Sequence, residues 1–203
     1  LFGKFLAGLV TLAIGLVALW LLMVGLGLLL VGVPPSGEEV LRSISFLAIA
    51  LVYGAGWLAA AILFSVLFRS PATSALCALG LWMVLGVLWA IIVPFVARMI
   101  TPPDPASIVF GIPDVHELAV EGIIARVSPA TLFGEATAAI LHPATRSLGL
   151  VYESQLEGAL MGAPLPLGQS LLLAWPQITG LIAAAILLFA GAYVAFQRQE
   201  IRA

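Results

Sequence analysis

Four long stretches of the chain carry no Asp, Glu, Lys or Arg: Phe5–Val33, Ser43–Phe68, Ala72–Ala97 and Leu167–Phe196. Each exceeds the ~20 apolar residues that an α-helix needs to cross a hydrocarbon core about 30 Å thick. A large soluble core could bury one such helix, but 203 residues cannot bury four. Lipid is therefore the solvent for most of this sequence. Hydrophobic residues make up 63 % of the chain and charged residues 9 %, against ~25 % charged in an ordinary globular domain.

The predicted fold class is all-α, a polytopic bundle of four membrane-spanning helices with a small helical extracytoplasmic cap. Its organisation follows the links between spans. Within Gly32–Arg42, Ser36 and Glu39 have the spacing of a capping box, so the second helix starts near Gly37. Arg69–Ser74 is shorter, and Pro71 suits the first turn of a third helix. Residues 1–99 hold three spans, residues 100–166 form a long outer loop, and residues 167–203 give the last span and a tail.

Four spans place both termini on one side. That side carries Lys4, Arg69, Arg198 and Arg202, and the other carries Arg42, Arg98, Arg126 and Arg146. Close to the spans the basic residues favour the side of the termini, which predicts a cytoplasmic location for both ends and a multi-pass protein of the cell membrane. The net charge of −2 offers no basic surface to nucleic acid. Cys77, the single cysteine, falls inside a span, cannot form an internal disulfide and reads as a small buried hydrophobe. The chain starts at Leu1, and no basic segment or small-residue cleavage site precedes the first span. It is expected to be a fragment with further sequence upstream.

Trp175 and Tyr193 sit near opposite ends of the last span, as interfacial aromatics do, whereas Trp20, Trp57, Trp82 and Trp89 lie deeper and need partners for their indole N–H groups. Gly56 with Ala60, and Gly180 with Ala184, are small residues at helical spacing. They suit close helix packing inside one bundle or a seam between two subunits. Pro94 and Pro176 should kink their spans or end the regular ladder.

The outer loop opens with the Pro-rich stretch Thr101–Pro105. Asp114 and Glu117 then suit the start of an amphipathic helix running to about Val127. Ser128 followed by Pro129 is a second helix start, with Leu132, Phe133, Ala136 and Ile140 on one face and a stop before Pro143. A third short helix is expected around Leu148–Leu160. The whole is predicted to dip partly into the outer interface.

Chemistry is sparse. His116 and Glu117 resemble the opening of a zinc-protease helix, but Val120 stands where the second His is required. His116, Glu121 and His142 are the remaining candidates for a site. The spans contain no histidine and no paired aspartates, and Lys4 is followed by Phe5 rather than by the Ser or Thr of a nucleotide-binding loop. Ion-coupled carriers place ionisable residues in their spans, and these spans have none. No residue is assigned to catalysis, to a cofactor or to a metal.

Three segments nevertheless resemble the permease subunit of type-2 ABC transporters, the exporter class that includes the permease of nitrous-oxide reductase maturation systems. Leu1-Phe-Gly-Lys-Phe-Leu-Ala-Gly8 is similar to the Gly-Lys entry into that family's third span. Ser128-Pro-Ala-Thr-Leu-Phe133 is similar to a Ser-Pro helix start in its outer loop, and Tyr193–Arg202 is similar to its charged C-terminal exit from the membrane. Family members have six spans with a large outer loop before the last, so the resemblance implies that the spans here are the last four. It further implies a translocation pathway formed with a second permease subunit, in a homo- or heterodimer, and a separate ATP-binding subunit that drives it. Lys4, Arg69, Ser70, Arg198, Glu200 and Arg202 would then be the cytoplasmic contacts to that partner. The competing readings are a membrane assembly subunit bound to another membrane protein, and an intramembrane enzyme acting through the outer cap.

Overall fold

A computed structural model describes residues 1–101, 115–142 and 165–200, and among these every regular element is helical. The helices are α1 (Phe2–Val31), α2 (Gly37–Leu67), α3 (Pro71–Trp82), a π-helical segment (Met83–Leu88), α4 (Trp89–Ile100), α5 (Val115–Ala125), α6 (Pro129–Leu141) and α7 (Leu167–Glu200). Four helical runs are long and apolar enough to span a membrane: Phe2–Leu30, Gly37–Leu67, Pro71–Ile100 and Leu167–Arg198. The Pro-rich residues 102–105, Asp114, the helix expected around Leu148–Leu160, Arg146 and Arg202 lie outside the described residues.

Local chemistry sets the helix ends. Ser36 Oγ accepts from the Glu39 amide, and the Glu39 carboxylate accepts from the Ser36 amide at 2.7 Å, which closes the capping box and starts α2 at Gly37. Gly32 ends α1 in the left-handed conformation at φ 72°, open to glycine without strain, and its N–H bonds Leu28 O. Pro71 occupies the first turn of α3 and Pro129 that of α6. Both α4 and α7 continue through Pro94 and Pro176 rather than ending there.

α1 lies against α2. Leu58 packs where Gly8 has no side chain, since a Cβ there would stand 2.8 Å from Leu58 Cδ2. The other side of α1 is unpartnered by the described helices: Leu22, Met23, Leu29 and Leu30 are all exposed. α2, α6 and α7 share the core, with Ile49, Ala136, Ala139, Ile140, Ala174 and Leu181 buried together. Phe133 of α6 stacks on Tyr53 of α2 with ring centroids 4.6 Å apart.

α5 and α6, expected as two helices of the outer segment, form a hairpin in which α5 packs along the third span and α6 is seated between α2 and α7. Three contacts follow α5 down the third span: Arg98 Nε to Glu117 Oε1 at 3.0 Å, Trp89 Nε1 to Ile124 O at 3.1 Å, and Ser128 Oγ to Leu85 O. The helix between Leu85 and Arg98 is about 20 Å long at ~1.5 Å per residue. Leu85 is also the middle of the uncharged stretch Ala72–Ala97. The hairpin tip, residues 126–128, therefore reaches the level of the middle of the third span. The physical reason is the composition of α6. Ala136, Ala139 and Ile140 are fully buried between two spans, a degree of burial that an interfacial helix does not have.

Candidate functional site

Three polar arrangements fix the hairpin, and each begins with a residue whose local setting is clear. Ser128 is the N-cap of α6, and its hydroxyl oxygen accepts from the Ala130 and Thr131 amides at 3.1 and 3.4 Å. The same hydroxyl donates to Leu85 O, a carbonyl of the π-helical segment. Ser128 is completely buried, so one side chain both starts a helix and anchors the tip to the third span.

The second arrangement centres on Glu135, one turn and a half into α6. Its Oε2 accepts from Arg126 Nε at 3.0 Å and from Gln177 Nε2 of α7 at 2.8 Å. Gln177 is 4 % exposed and Glu135 13 %. An ionised group at this depth is costly unless it is paired, and here Arg126 supplies the charge while Gln177 supplies a further donor. The stretches Ser43–Phe68, Ala72–Ala97 and Leu167–Phe196 carry no Asp, Glu, Lys or Arg, but the hairpin brings Arg126 and Glu135 beside them.

The third arrangement is at the hairpin's entrance. Arg42, in the first turns of α2, is 6 % exposed. Its Nε and Nη2 donate to Glu38 Oε1 at 3.1 and 2.7 Å; Nη1 donates to Ile140 O at 2.6 Å and to Ser170 Oγ at 3.4 Å; Nη2 also donates to Leu165 O. All five guanidinium N–H groups are thereby used, which is what allows a buried arginine to join α2, α6 and α7.

Beneath the tip lies a cavity of about 360 Å³ between α2, the third span and α7. Val127 and Pro129 form its roof, with Gly56 and Trp57 of α2, Leu85 of the third span and Ala184 of α7 in its walls. Of the two small-residue rows, Gly56, Ala60 and Ala184 line the cavity, and a Cβ at Gly180 would stand 3.2 Å from Leu132 Cδ1 of α6. Trp89 has its acceptor in Ile124 O, whereas the buried indole N–H groups of Trp20 and Trp57 have none among the described residues. Trp82 is 41 % exposed, and Cys77 is half-buried rather than fully enclosed.

The residues expected to meet a cytoplasmic partner divide. Lys4, Arg69, Ser70 and Arg198 are exposed, at the end of the bundle where Phe2 and Phe5 pack on Phe189. Glu200 is the last residue of α7, and Arg202 falls outside the described residues. His116 and His142 are both exposed, at the outer ends of the two hairpin limbs, with Glu121 further down α5. Among the described residues no three His, Cys, Asp or Glu side chains come close enough to hold a metal ion. Sequence reasoning missed Glu135 and Gln177. The available signal was the pairing of one acid with an otherwise alanine-rich, buried helix face.

A family model described as ABC-2 family transporter protein matches residues 1–201, and the chain belongs to that family. No curated protein and no solved structure gives a significant match. Four apolar spans and this membership make it a multi-pass membrane protein, the permease component of an ABC transporter.

Proposed function

We propose, from that membership, that the chain forms the translocation pathway of an ATP-driven exporter together with a second permease subunit and separate ATP-binding subunits. The observation that carries this reading is the combination of a family match over nearly the whole chain with an apolar cavity roofed by a re-entrant hairpin. Such a cavity can hold cargo, and membership of the ABC-2 transporter family supports a separate ATP-binding subunit as the source of energy.

The partner would dock on the end bearing both termini, which this reading places in the cytoplasm. Exposed Lys4, Arg69, Ser70 and Arg198 supply a basic surface there, with Glu200 and Arg202 in the tail. Such a surface suits an acidic face on the ATP-binding subunit. The similarity of Leu1–Gly8, Ser128–Phe133 and Tyr193–Arg202 to type-2 ABC permeases, the class that includes the nitrous-oxide reductase maturation permeases, supports placement among such exporters.

The test is co-expression of the full-length protein with the ATP-binding subunit encoded beside it, followed by purification in mild detergent. The ATPase should be retained, and the charge reversals Lys4→Glu, Arg69→Glu and Arg198→Glu together should weaken that retention more steeply at low salt than at high salt. A full-length protein that never retains an ATP-binding subunit would end this reading.

A further inference from the structure

We infer that the cavity beneath the hairpin tip is a binding site for a hydrocarbon chain, the apolar part of a lipid-like cargo. The inference deepens the permease reading and rests on it for the word cargo, but the binding itself does not depend on ATP.

The cavity's volume, about 360 Å³, lies at the lower end of the ~300–1,000 Å³ typical of small-molecule sites. Its walls are apolar, and among the described residues that line it only Tyr53 and Trp57 carry a polar side-chain atom. A resident water needs two to four polar partners, and with Trp57 Nε1 itself buried the lining side chains offer at most the Tyr53 hydroxyl. The cavity also lies at the level of Leu85, in the middle of the uncharged stretch, where the surrounding solvent is hydrocarbon. Left empty, a space of this size would deprive each lining side chain of dispersion contacts on one side. Matter of the same chemistry as the walls restores those contacts.

The sequence keeps the space open. A Cβ at Gly56 would meet nothing within 4 Å, so the space beside it is unfilled. Ala184 faces it from α7, where a larger residue would close the gap. The roof is set separately, by Ser128 on Leu85 O and by Glu135 between Arg126 and Gln177. A chain held below the tip is thereby separated from the hairpin's entrance, where Arg42 sits.

The experiment is photolabelling of the full-length protein in lipid nanodiscs with two probes: a free fatty acid carrying a mid-chain diazirine, and a phosphatidylcholine carrying the same group in one acyl chain. Adducts are mapped by peptide mass spectrometry. Labelling should concentrate on the α2 segment around Gly56 and the α7 segment around Ala184. In Gly56→Leu and Ala184→Leu it should fall about tenfold or more, the discrimination that one misplaced methylene can produce in an apolar pocket. Labelling at Met23, exposed on α1, should stay constant and reports bulk lipid. Should either leucine variant fail to fold, Gly56→Ala and Ala184→Val give the same test with a graded decrease. Stronger cavity labelling by the free fatty acid identifies a single-chain ligand, and stronger labelling by the phospholipid identifies a membrane lipid. Cavity labelling no greater than that at Met23 with both probes, or undiminished in the filled variants, overturns the inference. That result with an ATP-binding subunit still retained would leave the permease reading standing, whereas specific labelling without any such partner would remove only the permease reading.

Discussion

Arg42 Nη1 donates to the carbonyl of Ile140 at 2.6 Å, tying the start of α2 to the last turn of α6 across 98 residues of chain. The acceptors around this guanidinium come from three helices and the approach to α7, so the hairpin's entrance is held from several sides at once. Ser128 and Glu135 hold its far end. The fold thus fixes a re-entrant element at both extremities by polar contacts inside an otherwise apolar bundle.

Arg42→Ala is expected to lower stability by about 2–4 kcal/mol, because it strips charge-assisted hydrogen bonds from buried carbonyls. Arg42→Lys should recover only part of the loss, since an ammonium cannot reproduce a planar five-donor fork. Thermal unfolding in detergent, followed by tryptophan fluorescence, checks both. Equal midpoints for wild type and Arg42→Ala would contradict the role assigned to this residue.

Glu135→Ala and Gln177→Ala should couple. In membrane proteins an interhelical hydrogen bond contributes from ~0.6 to ~1.7 kcal/mol, and the cycle formed by the two single variants and the double variant should give a coupling energy in that range. Additive effects would mean that the 2.8 Å contact contributes nothing of its own.

Ser128→Ala removes an N-cap and the bond to Leu85 O together, and a loss of about 1–2 kcal/mol is expected. Hydrogen exchange should quicken first in α6, near its start, while the amides of α1 keep their protection.

Trp89→Phe should destabilise by about 0.5–1.5 kcal/mol, since its indole N–H has the Ile124 carbonyl as acceptor. Trp20→Phe should be neutral or mildly stabilising, because the N–H it removes is buried with no acceptor among the described residues. Measured midpoints in the opposite order would show that the two indoles are wrongly assigned.

Cysteine accessibility reads the hairpin's depth directly. In a Cys77→Ser background, His142→Cys should react with a membrane-impermeant maleimide added from the hairpin side, and Val127→Cys should not. Rapid reaction at residue 127 would return α5 and α6 to the membrane surface.

Much of this architecture was legible in the sequence because lipid imposes a simple rule. Uncharged runs of sufficient length become spans, and the Ser36–Glu39 box and Pro71 mark helix starts whatever surrounds them. The two hairpin helices were also legible, down to the Ser128 cap. Their depth was not. The sequence placed residues 115–142 only partly into the outer interface, since Arg126 and Glu135 each count as polar when read alone. Only their pairing, with Gln177 arriving from a helix far along the chain, makes the buried position tolerable. The cavity was equally hidden, because small residues at helical spacing report that something approaches closely without saying whether it is a helix, a second subunit or nothing.

The seating of α6 has a consequence for how the protein is made. Its buried side packs on α2, synthesised well before it, and on α7, synthesised after it. When α6 leaves the ribosome, half of its eventual surroundings does not yet exist. The re-entrant element can settle only once the last span has entered the bilayer, so an arrested chain ending before Leu167 should display residues 129–141 to proteases that the finished protein excludes.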